Sequence, residues 1–216
     1  MTDKKVFITA GPVDRLFYNG TGIAGVQIIR PVDGGPRHDV QHRNRVFEVT
    51  CRDARYLVRV HDPEAPALAE FAGVPSYAPD PNWVVSGQFV PYAKPATMRT
   101  ETAVGGLEYR LTAVGLIEFT LEDRPQRLVV FDEPDGPRVL FSDPTNGVTT
   151  HAAGRSIALD APTADGAVQL DFNRAVNPDA AFTSFTTCPL PPAMNHLEVE
   201  IRAGERNPQQ EGSAQQ

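Results

Sequence analysis

Cysteine is scarce: Cys51 and Cys188 are the two in 216 residues, far apart and without any ladder of spacings. A disulfide framework needs patterned pairs, so these read as reduced thiols of a cytoplasmic protein. Basic charge is short as well, with 20 Lys and Arg against 27 Asp and Glu, a formal net charge of −7, and the two signs are interspersed. Binding to phosphate backbones or anionic bilayers draws on a clustered basic surface, so neither nucleic acid nor a membrane is an expected partner. Long hydrophobic runs are missing. The start offers only 6–10 as an apolar stretch, short of the roughly 7 to 15 residues of an export signal. The strongest run, 128–131, stops at Asp132 and Glu133, far below the roughly 20 residues of a membrane helix. A soluble chain is expected.

Helical periodicity, fixed-period repeats and linkers are also wanting. What recurs instead is short β-branched or aromatic runs bounded by Gly, Pro, Asn or Asp, the mark of many strands. Strands are expected at 5–9, 25–30, 45–51, 55–61, 83–92, 98–103, 108–113, 116–122, 126–132, 138–142, 156–159, 168–172 and 197–202. Asn19-Gly20, Asp33-Gly34, Gly105-Gly106, Asp135-Gly136, Asn146-Gly147 and Asp165-Gly166 punctuate them, pairs that tolerate the positive φ of tight hairpins. Alternation is clean in 55–60 and 197–202, each read as a strand with one wet face. One short helix is expected at 64–72, with Asp62 as cap, Pro63 in the first turn and Gly73 at the end, covering one end of the sheet. The fold class is therefore all-β, an antiparallel sheet closing into a barrel or sandwich with one short helix. A chain of this length buries roughly 70% of its unfolded surface and needs no staple. A single β-rich domain over 1–206 is expected, followed by a disordered tail at 207–216, whose composition offers little to bury.

Three motifs invite chemistry. Gly20-Thr21-Gly22-Ile23-Ala24-Gly25 matches GxGxxG, but the residues that follow are β-branched and stopped by Pro31, so no helix start is present to hold a pyrophosphate. No nucleotide or other cofactor is expected. His38 and His42 have a metal-sharing spacing if helical, yet Pro36 and the charged neighbours argue for a loop and no third ligand is evident; no metal is expected. Cys188, before Pro189, is either a buried packing residue or a nucleophile awaiting a base. Cys51 ends an apolar strand and reads as structural.

The last third is richer. Asp143, Thr145, His151, Arg155, Asp171, Asn173 and Asn177 fall where Pro144, Gly147, Gly154 and Pro178 break the apolar pattern. Loops so endowed with carboxylate, amide, hydroxyl and guanidinium can converge on a ligand. They can equally satisfy one another, since Asp and Asn cap turns and Arg pairs with Asp in cores. A buried arginine is costly unless paired, so Arg155 should meet Asp143 or Asp171.

The stretch 55–206 resembles the bacterial DUF1684 family. The matching residues are Arg59-Val60-His61-Asp62-Pro63-Glu64-Ala65-Pro66, Pro81-Asn82-Trp83, Phe89-Val90-Pro91-Tyr92, Phe141 through Gly147, and Gly154-Arg155. They continue with Leu170 through Pro178, Cys188-Pro189-Leu190-Pro191-Pro192, Asn195 and Ala203-Gly204-Glu205. The resemblance supplies positions without chemistry, because the family's biochemical function is unassigned. Members typically carry a cysteine where this chain has Ala180 and a tyrosine where it has His151, which weakens a thiol-pair role for Cys188. Residues 1–54 differ from the family's usual N-terminal segment.

Two functions follow as expectations. The first is a cofactor-independent enzyme acting on a small organic molecule, with His151 as general acid/base, Asp143 or Asp171 orienting it, and Arg155, Thr145, Asn173 and Asn177 holding substrate. The second is a non-catalytic binder enclosing an apolar ligand, with Trp83, Phe89, Phe141, Phe172, Phe182 and Phe185 as wall or core. An enzyme needs His151, Arg155 and a carboxylate on one concave space, whereas a binder needs only a void. A small-molecule ligand or substrate is the expected partner, and self-association into a homodimer is left open.

Overall fold

The computed structural model describes residues 5–52, 54–103 and 106–208. The chain divides into two compact units, Met1–Phe71 and Ala72–Gln216, where the sequence reading takes 1–206 as one domain. Gly105 of the Gly105-Gly106 turn and tail residues 209–216 lie outside the described residues. The tail's Asn207 donates its N–H to the Thr149 carbonyl at 3.0 Å, so the chain is held one residue beyond Arg206.

The first unit contains β1 (Val6–Ala10), β2 (Leu16–Tyr18), β3 (Thr21–Gly22), β4 (Gly25–Ile29), β5 (His38–His42), β6 (Arg45–Arg52), β7 (Arg55–His61) and the helix α1 (Pro66–Ala69). β1 and β4 form an antiparallel ribbon, and the others form a sheet ordered β3-β2-β5-β6-β7. The loop expected at His38 and His42 is a strand, β5, inserted between β2 and β6. Four residues along a strand span about 13 Å, which puts two imidazoles too far apart to share an ion. His38 Nδ1 instead meets the Tyr18 hydroxyl at 2.6 Å. Strand β7 also departs from expectation: Val58 and Val60 are exposed. The helix is shorter than 64–72, buries none of its residues and so covers no core, and its N-cap is Ala65. Asp62 is occupied by a turn to the Glu64 N–H and by Arg45.

The second unit is one sheet, β12-β11-β10-β9-β8-β13, built from β8 (Val84–Glu101), β9 (Glu108–Leu121), β10 (Arg124–Glu133), β11 (Gly136–Phe141), β12 (Arg155–Ala158) and β13 (Ala167–Asp171). The chain is mostly antiparallel β with very little helix, and this sheet curls into a half-barrel. Two pairs of expected strands are each continuous. In β8 the register breaks between Pro91 and Ala96, a bulge that accommodates Pro91 and Pro95, which cannot donate to a ladder. The β9–β10 hairpin turns on Glu122 and Asp123, both at positive φ, a primed turn made without the usual Asn-Gly pair.

Strand β10 is buried on both faces. Leu128 and Val130 join a large core with Ile117, Phe119, Phe141, Ile157, Leu170 and Phe172. Val129 and Phe131 join a smaller one with Leu111 and Ala113. Trp83, Phe89, Phe141 and Phe172 belong to the large core or pack on it, but Phe182 and Phe185 are exposed and lie outside both core clusters of the described residues. The expected strand at 197–202 keeps its alternation, with Leu197, Val199 and Ile201 buried, yet it enters no ladder.

Just before it, fully buried Asn195 does a strand's work with one side chain. Its Oδ1 accepts from Val129 N at 2.8 Å, and its Nδ2 donates to the carbonyls of Val129 and Leu140 at 3.0 and 2.7 Å. Asn195→Ala orphans these backbone groups and should destabilise the fold by about 2 to 4 kcal/mol. The shift of the urea midpoint at constant slope measures it.

Candidate functional site

Arg155 opens β12 directly after Gly154, whose φ is +81° and whose missing Cβ would lie 2.5 Å from Pro191 Cγ and 2.6 Å from the Phe141 carbonyl. Only glycine fits this approach, and it drives the following side chain into the protein. The Arg155 and Asp143 side chains have no exposed surface, and they pair through Nη2 and Oδ2 at 3.1 Å. Nη2 also donates to the Ile201 carbonyl at 2.8 Å. Nη1 donates to the carbonyls of Ala203 and Glu205. The carbonyls of residues 201, 203 and 205 thus converge on one guanidinium, the chain bending at Gly204, whose φ is +72°, before the last of them.

Asp143 completes the arrangement, its Oδ1 accepting from Thr145 N at 2.9 Å and Ile201 N at 3.1 Å. Within 197–202 it is Ile201 that bonds the ion pair, through both its N–H and its carbonyl, while Leu197 N goes to the Ser142 carbonyl. Burial pulls the Arg155 guanidinium below its ordinary value, and the Asp143 carboxylate opposes that pull. The Phe141 ring lies 5.3 Å from the guanidinium carbon.

Four of the seven expected residues meet here. Thr145 bonds Asp143, and Asn177 joins through Glu205, whose carboxylate accepts the Asn177 N–H at 2.7 Å. Asn177 Nδ2 donates to the Arg206 carbonyl at 2.8 Å, while its Oδ1 and Arg155 Nε are buried without a hydrogen-bond partner.

The other three lie apart. Asp171 caps a 3-10 turn by accepting from Asn173 N and Nδ2, and Asn173 exchanges bonds with the backbone of Asp80 at 3.0 Å each way. Both are structural ties. His151 Nδ1 accepts from Ala153 N at 3.2 Å. The ring also bonds the Ala180 backbone, which tends to raise its pKa, but burial is the larger effect and sets it below 6.5. Among the described residues no hydrogen bond joins His151 to Asp143, Asp171 or Arg155.

Two cavities flank this region, sharing Ala153 on their walls. One, about 400 Å³, is bordered by His151, Ala180, Thr183 and Thr186. The other, about 360 Å³, is bordered by Tyr109, Glu133, Asp135, Arg138, Arg155, Asn177, Asp179 and Cys188. His151 and Arg155 therefore face different spaces. Cys188 is half-buried, its Sγ 3.5 Å from Thr186 Oγ1. Among the described residues no three His, Cys, Asp or Glu side chains are grouped to hold a metal. Glu205, Asn146 and Asn195 escaped the polar-residue argument, although the family resemblance ran through all three. Asn146 receives the Asp143 N–H at 2.6 Å and reaches Thr150 and the His151 carbonyl.

The curled antiparallel sheet and the buried Arg155–Asp143 pair define a β-rich protein with a polar centre in its C-terminal third. Residues 69–206 match the family model described as "Protein of unknown function (DUF1684)". The chain belongs to this family, and the match begins somewhat later than the expected residue 55. No curated protein matches. Among solved structures it is similar to an uncharacterised protein of Haloarcula marismortui determined by solution NMR. The identity is 30% and the TM-score 0.53, over 67% of this chain and 80% of that one.

Two outcomes test this electrostatic picture. Arg155→Ala leaves Asp143 buried and unpaired and should cost about 3 to 5 kcal/mol in chemical denaturation. Arg174→Ala, which breaks an exposed pair with Asp160, should cost less than about 1 kcal/mol. The second outcome concerns pH. Because the folded state holds the His151 proton less tightly than the unfolded chain, the stability tied to neutral His151 is present above 6.5 and lost as pH falls through the lowered folded value. His151→Gln should therefore lose less melting temperature than the parent between about pH 7.5 and about pH 5.5.

Proposed function

We propose that the chain binds a small organic molecule non-covalently in the cavity beside Arg155 and Asn177. The observation that carries this reading is the cavity itself, about 360 Å³ and bordered by the buried residues Arg155 and Asn177. The rest of the wall has the make-up of a binding site, with Tyr109, Leu140, Val176 and prolines for contact and a few charged groups for orientation.

The acid–base expectation draws less support. His151 has both an N–H donor and a carbonyl acceptor engaged on its ring, and it borders the other cavity. Asp143 is committed to Arg155 and two backbone amides, and Asp171 to Asn173. Proton transfer by this set would first have to dismantle bonds that hold the fold. The scarcity of cysteine and the acidic composition fit a reducing, cytoplasmic setting for such a binder. No helix of the described residues is long and apolar enough to cross a membrane.

A fragment screen by thermal shift tests the proposal, with Val176→Trp as the blocked control because Val176 is partly exposed and borders the cavity. Fragments present at about a hundred times their Kd should raise the parent's melting temperature by about 5 °C or more, and should leave the blocked variant unmoved. Equal shifts in both proteins, or none in either, would overturn the reading.

A further inference from the structure

We infer that the outer edge of strand β7 binds an extended acidic peptide segment, which joins the sheet as a further strand. β7 belongs to the first unit, ahead of the residues that match the family model, and shares no residue with the cavity above. It ends the five-stranded sheet on one side and pairs with β6. Between Leu57 and His61, no backbone hydrogen bond of the described residues reaches its outer edge. Such an edge offers donors and acceptors to any extended chain unless proline, lysine or a bulge blunts it. The seven residues of β7 include neither proline nor lysine, and their ladder to β6 runs without a bulge.

The two faces of β7 select the occupant. Tyr56, Val58 and Val60 alternate onto one face, where Val58 stands opposite Val49. Val49 is 5% exposed and Val58 60%, so the apolar layer runs from a covered centre to an open margin. Arg55, Leu57, Arg59 and His61 take the other face, and the strand holds no carboxylate. The carboxylates beside it are already engaged. Glu48 meets His61 at 2.9 Å and both Arg37 and Arg59 at 3.9 Å, while Asp39 meets Arg37 at 3.2 Å. Arg55 is exposed and forms no ion pair among the described residues. A second copy of β7 fits poorly. Every pairing that sets Tyr56, Val58 and Val60 against their own copies gathers Arg55 and Arg59 of both chains on the opposite face, and facing like charges destabilise a ladder. A strand alternating apolar and acidic residues extends the apolar layer on one side and brings carboxylates to the guanidiniums on the other.

The test uses three blocked heptapeptides on the full chain, followed by nitrogen–proton NMR. One alternates glutamate and valine, one alternates lysine and valine, and one is the glutamate peptide N-methylated throughout; an oligothymidylate of similar length is the nucleic-acid probe. The acidic peptide should saturably shift the backbone amides of Leu57 through His61, with a Kd at least about tenfold tighter than that of the lysine peptide. The N-methylated form, having no N–H to donate to a ladder, should leave these signals in place. Combining Arg55→Ser with Arg59→Ser should weaken the acidic peptide about fivefold or more, and added salt should act in the same direction. Equal binding of the two charged peptides, shifts that survive N-methylation, or no shift with any peptide overturns the inference. Tighter binding of the oligothymidylate at the same amides overturns it in favour of a nucleic-acid strand.

Discussion

A guanidinium with no access to water needs partners inside the protein, and both terminal nitrogens of Arg155 find them in the carbonyls of 201, 203 and 205 and the carboxylate of Asp143. That requirement organises the C-terminal third. The extended segment after Asn195 gives its carbonyls to a side chain, its Ile201 N–H to Asp143, and its apolar side chains to the core. Gly204 lets the segment pass where a Cβ would lie 2.5 Å from the Ala175 carbonyl. Beyond it, Glu205 N bonds that same carbonyl and Arg206 N bonds Pro75. Glu205 and Arg206 then fix Asn177 on the cavity wall. A buried ion pair is weak evidence for net stability, but removing one partner from it is expensive. Its role here is positional.

Much of the sheet was legible because a strand with one dry face writes its period into the sequence, as β9 does from Leu111 through Ala113 to Ile117, Phe119 and Leu121. The same signal misled at 197–202, where the period reports burial and says nothing about who takes the backbone hydrogen bonds. β5 was missed for a complementary reason: His38, Asp39, Gln41 and His42 carry no apolar alternation, and the strand exists because β2 and β6 flank it. The turn at Glu122 and Asp123 reaches positive φ without the glycine that marks the hairpin at Asp135 and Gly136. Tertiary pairing decided each case.

For the candidate site, residue chemistry foresaw the partner of Arg155, since burying a guanidinium demands a carboxylate. It could not foresee that Asn173 would be spent on the Asp80 backbone, because that partner sits 93 positions away in the chain, nor that Asp171 would in turn be held by Asn173. Nor did it find Glu205, a lone carboxylate in an unpatterned stretch. His151 illustrates a further limit. Its ring is an apt proton carrier in isolation, yet neighbouring backbone groups have engaged it and burial has moved its pKa downward.

The account stands on the claim that Arg155 replaces a neighbouring strand for the segment that builds the cavity wall. Native-state hydrogen exchange in an Arg155→Lys variant tests that claim most directly, since lysine keeps the charge but cannot span the same row of carbonyls. The account predicts that the amides of Ile201, Glu205 and Asn177 lose protection first and most, while those paired between β9 and β10 keep theirs. Unchanged protection at Ile201 and Glu205, or a loss shared evenly by the whole sheet, would contradict it.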